Sequence, residues 1–217
     1  MKLQEPFVIT ISRELGSGGR TIGRKLAAEL NVRYSDKNLI QCLEEKYDMS
    51  TFEIEKLKAK KKSWLSDFLE KVAPMPRAEL LIGGRPEAVP ALPHATTSDD
   101  LFATETEVLR AIAEEGSCVI AGRSGFFVFK NHPNHLNIFV QASLKHRIER
   151  VMRKQNLSET EAATVIESVD EGRENYIKRY TGVSRYDLRN YDLVLSSDGL
   201  SEDEAVQTIL DYIKRSE

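Results

Sequence analysis

The stretch Ile9-Thr-Ile-Ser-Arg-Glu-Leu-Gly-Ser-Gly-Gly-Arg-Thr-Ile-Gly23 constrains this chain more than any other. The apolar, β-branched run from Phe7 to Ile11 predicts a short buried strand. Four small residues follow, Gly16-Ser17-Gly18-Gly19, and then Ile22, Leu26 and Leu30 recur at helical spacing. A strand, a glycine loop and a helix in that order turn successive backbone N–H groups and a helix N-terminus toward one anion. Glycine lets the backbone curl through positive φ and approach a phosphate closely. The N–H groups from Gly16 to Thr21 are therefore the expected phosphate cradle. Thr21 opens the helix, where a hydroxyl can ligand Mg²⁺.

The stretch departs from the strict phosphate-loop pattern, which ends in Gly-Lys-Ser/Thr. Here Gly19-Arg20 precedes Thr21, and no lysine is present. Within the loop the cation is Arg20. Arg13, leaving the strand, competes for the same role. A glycine-rich turn that binds nothing is the alternative reading.

A chain of 217 residues suits one α/β domain with an insertion or small lobe. A net charge of −3 provides no global basic field for nucleic acid, so positive charge must be local. No apolar run approaches a membrane span, and the first residues carry no long apolar segment; a cytoplasmic protein is the expectation. Cys42 and Cys118 lie in apolar surroundings and read as reduced core thiols.

Asp36 follows the first helix and reads equally as a helix cap or a ligand contact. The segment from Asn38 to Tyr47 predicts a helix, and Ser50 with Glu53 predicts a capping box. Lys56 to Lys62 is a basic run that reads as a solvated face. Residues 73–97 carry prolines and paired glycines and predict a long loop. A helix is expected over Leu101 to Glu115, then a buried strand ending at Gly122-Arg123-Ser124-Gly125. Ligands sit beyond the carboxyl ends of parallel strands, so Arg123 is placed to meet an anion.

Leu136 to Val140 predicts another strand, followed by a helix bearing Arg147, Arg150 and Arg153. A capping box at Ser158 and Glu161 opens the next helix, which carries Asp170 and Arg173, with Arg185 and Arg189 beyond it. Guanidinium groups bind phosphate oxygens bidentately and offset charge on a transferring phosphoryl group. Tyr191 to Ser196 predicts the last strand, and the helix after Ser201 closes the chain. Strands alternating with helices predict an α/β parallel sheet.

Three segments resemble the bacterial cytidylate kinases of the nucleoside monophosphate kinase group, and most closely their divergent cytidylate kinase-like relatives. They are Ile11 to Leu30, Val119-Ile-Ala-Gly-Arg-Ser-Gly-Phe-Phe-Val-Phe129, and Asp170-Glu-Gly-Arg173. The resemblance implies a P-loop kinase core spanning residues 1–217: a parallel five-stranded sheet flanked by helices, a helical acceptor lobe at 48–98 and a lid at 143–190. It implies ATP-dependent phosphoryl transfer with Mg²⁺ to a nucleoside monophosphate, CMP or dCMP first, or to a related small acceptor. Gly16, Ser17, Gly18, Gly19, Arg20 and Thr21 would hold the donor phosphates. Asp36, Arg123, Ser124, Asp170 and Arg173 would lie on the acceptor side, with Arg20, Arg13 and Arg173 acting on the transferred group. Self-association is left open.

The family's loop lysine falls on Gly19, and its aspartates fall on Ser12 and Ser124. Two rival readings follow: a nucleotide-binding module without turnover, or an interaction protein docking a partner through residues 73–97.

Overall fold

Val8, Ile9, Thr10 and Ile11 are β-branched, and in the computed structural model they lie in the central strand of a parallel sheet. The structure describes residues 1–36 and 98–216. Its five strands are β1 (Val8–Arg13), β2 (Arg33–Ser35), β3 (Cys118–Ala121), β4 (His135–Gln141) and β5 (Leu193–Ser196). They are ordered β2-β3-β1-β4-β5, and every pairing is parallel. The register sets Ile11 beside Ala121 on one side and Ile138 on the other.

The helices are α1 (Gly19–Glu29), α2 (Ser98–Glu114), α3 (Gly125–Val128), α4 (Leu144–Gln155), α5 (Glu159–Thr181) and α6 (Glu202–Arg215). Alternate residues of β1 serve the two faces of the sheet. Ile9 and Ile11 join Leu26 of α1 and Ile209 of α6 in one core; Val8 joins Leu109 and Ile112 of α2 in another. A sheet covered on both faces explains why its strands read as apolar runs rather than as alternating ones.

The hairpin of α4 and α5 has its own small core of Val151, Ala162 and Ile166, and Leu15 of the glycine loop packs against it. Ser158 and Glu161 form the expected capping box at the start of α5, and Ser201 and Glu204 form another on α6. Each cap of this kind contributes about 1 kcal/mol. Cys118 is buried, and burial pushes its thiol up to about 12.

Several features differ from the sequence reading: α1 opens at Gly19 rather than at Thr21, and α2 opens at Ser98 rather than at Leu101. β2 forms where no strand was expected; its pairing to β3 through the backbone forms it, with Tyr34 set against the core. β1 runs on to Arg13, because Ser12 and Arg13 continue the ladder with Phe139 and Val140. The expected helix at 38–47, the capping box at Ser50, the basic run, the 73–97 loop and Cys42 lie outside the described residues. So does the 48–98 lobe, except for Ser98, the first residue of α2. Among the described residues, no helix is long and apolar enough to cross a membrane.

Candidate active site

All five strands point the same way, so the carboxyl ends of β1, β3 and β4 open on one edge, the position where parallel sheets hold ligands. The glycine loop leaves β1 there. Gly16 and Gly18 adopt φ of 87° and 83°. At Gly16 no side chain fits: a Cβ would stand 2.7 Å from the Arg147 carbonyl oxygen.

The loop is held from within and from α5. The Ser17 hydroxyl donates to the Glu14 carbonyl at 2.9 Å, and the Ser17 N–H turns to the same oxygen at 3.3 Å. The Ser17 carbonyl accepts from the Ser197 hydroxyl at 2.8 Å. The Leu15 N–H donates to Asp170, and the Thr21 N–H donates to the Gly18 carbonyl at 2.9 Å. Of the amides from Gly16 to Thr21, those of Ser17 and Thr21 turn to carbonyl oxygens of the loop. The N–H groups of Gly16, Gly18, Gly19 and Arg20 have no partner among the described residues. These four donors stand at the start of α1, where the helix dipole favours an anion.

They open on a cleft of about 310 Å³, whose walls carry Arg13, Arg20, Arg150, Lys154 and Arg173 against the carboxylates of Glu14 and Asp36. Arg20 Nε donates to Asp36 Oδ2 at 2.7 Å. The Arg150 guanidinium covers Gly18, pairs with Glu202 at 2.6 Å and reaches Thr21 Oγ1 at 3.5 Å. Arg173 donates to Asp170 at 3.1 Å and to the Arg13 carbonyl at 3.2 Å. Arg13 and Lys154 have no carboxylate within ion-pair distance among the described residues. Burial lowers Arg13 to about 10, with Arg173 adding to the effect. Lys154 is lowered by partial burial and then by Arg150.

Arg123 and Ser124 lie on a left-handed turn after β3, each with φ of 55° following Gly122 at 86°. Arg123 pairs with Glu105 of α2, a carboxylate 1% exposed that also accepts from the Tyr176 hydroxyl at 2.8 Å. The Ser124 hydroxyl is buried without a hydrogen-bond partner among the described residues. The Arg13 guanidinium lies against Gly122 and so stands between this turn and the cleft.

The structure thus gathers Gly16, Gly18, Gly19, Arg20, Thr21, Arg13, Asp36 and Arg173 around one cleft. Ser17 is buried inside the loop, Asp170 sits behind it, and Arg123 and Ser124 lie beyond Arg13. Lys154 and Glu202 were not selected from the sequence. Arg147, Arg150 and Lys154 follow an i, i+3, i+7 spacing, and that pattern was the available signal. For Mg²⁺, the residues present offer the Thr21 hydroxyl at the loop. Among the described residues no group of three or more metal-ligating side chains occurs.

A parallel sheet whose central strand feeds a glycine loop and helix, under a cationic helical hairpin, defines the P-loop kinase class. The chain belongs to the cytidylate kinase-like family, whose sequence profile matches residues 8–199. Membership of this family places it among kinase-like proteins. It is 34% identical over 103 residues to a cytidylate kinase of Methanopyrus kandleri, a match spanning 44% of this chain and about half (53%) of that relative. It is 24% identical over 211 residues to a cytidylate kinase of Sulfurisphaera tokodaii, covering 95% of each chain. Among solved structures, an uncharacterized protein from Eubacterium ventriosum aligns with a TM-score of 0.66 at 22% identity, over 96% of this chain and 98% of that one. A shikimate kinase from Bacteroides thetaiotaomicron aligns with a TM-score of 0.53 at 14% identity, over the same shares, and shares the fold.

Proposed function

We propose that this chain catalyses ATP-dependent phosphoryl transfer to a nucleoside monophosphate, with CMP and dCMP the first candidates, or to a related small phosphate acceptor. One observation carries this reading: at a helix N-terminus, beneath five cations, the cleft sets four amides that have no partner among the described residues. Such a site suits a polyphosphate better than a singly charged ligand. The names of the relatives supply the acceptor class.

In this reading the Gly16, Gly18, Gly19 and Arg20 N–H groups hold the donor phosphates. ATP with Mg²⁺ supplies the phosphoryl group and the divalent charge, and Thr21 offers the hydroxyl ligand. Arg20 and Arg13 face the group in transfer, Arg173 closes on it from α5, and residues 143–190 act as the lid. Arg123 and Ser124, with residues 48–98, receive the acceptor. Fixed positive charge aimed at a transferring phosphoryl group is the main device such an enzyme needs.

A nucleotide-binding module without turnover is the second reading, favoured by the absence of a loop lysine and by the tether of Arg20 to Asp36. Isothermal titration with ATP–Mg²⁺ separates both from a protein that binds no nucleotide. Wild type binds and Gly18→Val does not; equal binding by the two contradicts the loop's role.

A further inference from the structure

We propose that Asp170 is a positioning residue for the phosphate loop rather than a ligand of the acceptor. It couples the anion-binding shape of the loop to docking of the α4–α5 hairpin. The proposal rests on reading the loop as the donor-phosphate site.

Asp170 is 7% exposed. The Leu15 N–H reaches both its oxygens, at 3.0 and 3.3 Å. Nη1 of Arg147 lies 2.6 Å from one oxygen, and Nη1 of Arg173 lies 3.1 Å from the other. Arg185 stands 3.6 Å away and is itself 2% exposed. An ionised carboxylate offers about four lone-pair sites. Three donors and the Arg185 guanidinium already crowd this one, which leaves little of it open to a substrate hydroxyl.

The same arginines hold the chain two residues earlier. Arg173 and Arg185 both donate to the Arg13 carbonyl. Gly16 lies against the Arg147 backbone, and the Leu15 side chain packs into the hairpin core. Three points at the loop's entry, the Arg13 carbonyl, the Leu15 amide and Gly16, are therefore set from α4, α5 and the segment after α5. The first unpartnered amide follows at Gly16. Asp170 is the carboxylate that gathers these contacts.

Charge and position make opposite predictions here. Asp170 is a negative group beside an anion site, so removing its charge should tighten anion binding if electrostatics alone governed. If Asp170 shapes the loop, removing it weakens binding. Inorganic tripolyphosphate, titrated into the full chain without acceptor, tests this directly. Asp170→Asn is expected to weaken tripolyphosphate and ATP–Mg²⁺ binding by about ten-fold or more, the scale of one charged hydrogen bond. The acceptor KM should stay at its wild-type value. Asp170→Glu keeps the charge but moves the carboxylate, and it should weaken binding as well; it also serves if Asp170→Asn fails to fold. Unchanged or tighter binding in a folded variant overturns the proposal. So does a raised acceptor KM with donor binding intact, which would make Asp170 an acceptor ligand. If wild type binds neither tripolyphosphate nor ATP–Mg²⁺, the donor-site reading itself falls and takes the proposal with it.

Discussion

Arg20 Nε lies 2.7 Å from Asp36 Oδ2, so the cation of the glycine loop is tethered to the buried carboxylate that follows β2. The tether uses Nε and leaves both terminal nitrogens of the guanidinium without a partner among the described residues. Asp36 therefore orients Arg20 without filling it. Arg20→Ala should lower kcat by about 10²–10³, as the loss of one charge-assisted contact in the transition state does. Asp36→Ala should lower it less, because the charge remains and only its direction is lost. Steady-state kinetics decide. Wild-type turnover in Arg20→Ala, with loss in Arg13→Ala or Lys154→Ala, would move the role to that residue.

Arg123 and Glu105 form a pair whose carboxylate is nearly fully buried. Arg123→Ala leaves that charge without its cation and should cost about 3 kcal/mol of stability. Adding Glu105→Gln should recover part of this loss in denaturant unfolding, since the amide oxygen still accepts from Tyr176. If Arg123 also holds the acceptor, the raised acceptor KM of Arg123→Ala persists in the double variant. A KM that recovers along with stability would make Arg123 purely structural.

Gly16→Ala tests the loop's shape. Its φ of 87° and its contact with the Arg147 carbonyl both exclude a Cβ. The expected result is a destabilisation of about 1–3 kcal/mol, with weakened donor binding. Wild-type melting and wild-type affinity together would contradict the loop geometry.

His135 gives a pH signature. Burial holds its imidazole down at about 4, while its Nε2 lies 2.7 Å from the Thr10 hydroxyl. The unfolded chain titrates this group near 6.5. Between those values the unfolded state binds the extra proton. Stability from the neutral imidazole is therefore present above about pH 6.5 and falls as pH drops toward 4, by at most about 1.4 kcal/mol per unit. His135→Gln should flatten the slope of unfolding free energy between pH 6.5 and 5.5, above the range where the carboxylates titrate in either state. An unchanged slope would contradict the assignment.

The strand, loop and α1 were legible because each carries its signal locally: β-branched residues, glycines, then apolar residues every fourth position. β2 was not, because three residues with one aromatic and no aliphatic side chain form a strand only when β3 is beside them. Within the site, the glycines named the loop, but their spacing could not say which amides stay open. Ser17 and Thr21 turn theirs to local carbonyls, and Leu15 turns its own to Asp170 across 155 residues. Arg185 looked like one more polar arginine beyond the lid helix. It is buried, because Asp170, the Arg13 carbonyl and the ring of Phe139 surround it. Charge alone in a sequence does not distinguish a solvated arginine from one that organises a core.

The measurement that bears most directly on the central claim is ADP release from ATP–Mg²⁺ in a coupled assay, across nucleoside monophosphates beginning with CMP and dCMP and then across small alcohols. Phosphoryl transfer at this cleft predicts ADP release that depends on an acceptor and is lost in Gly18→Val. Tight ATP binding with no acceptor-dependent release from any member of the panel would contradict it and leave a nucleotide-binding module in its place.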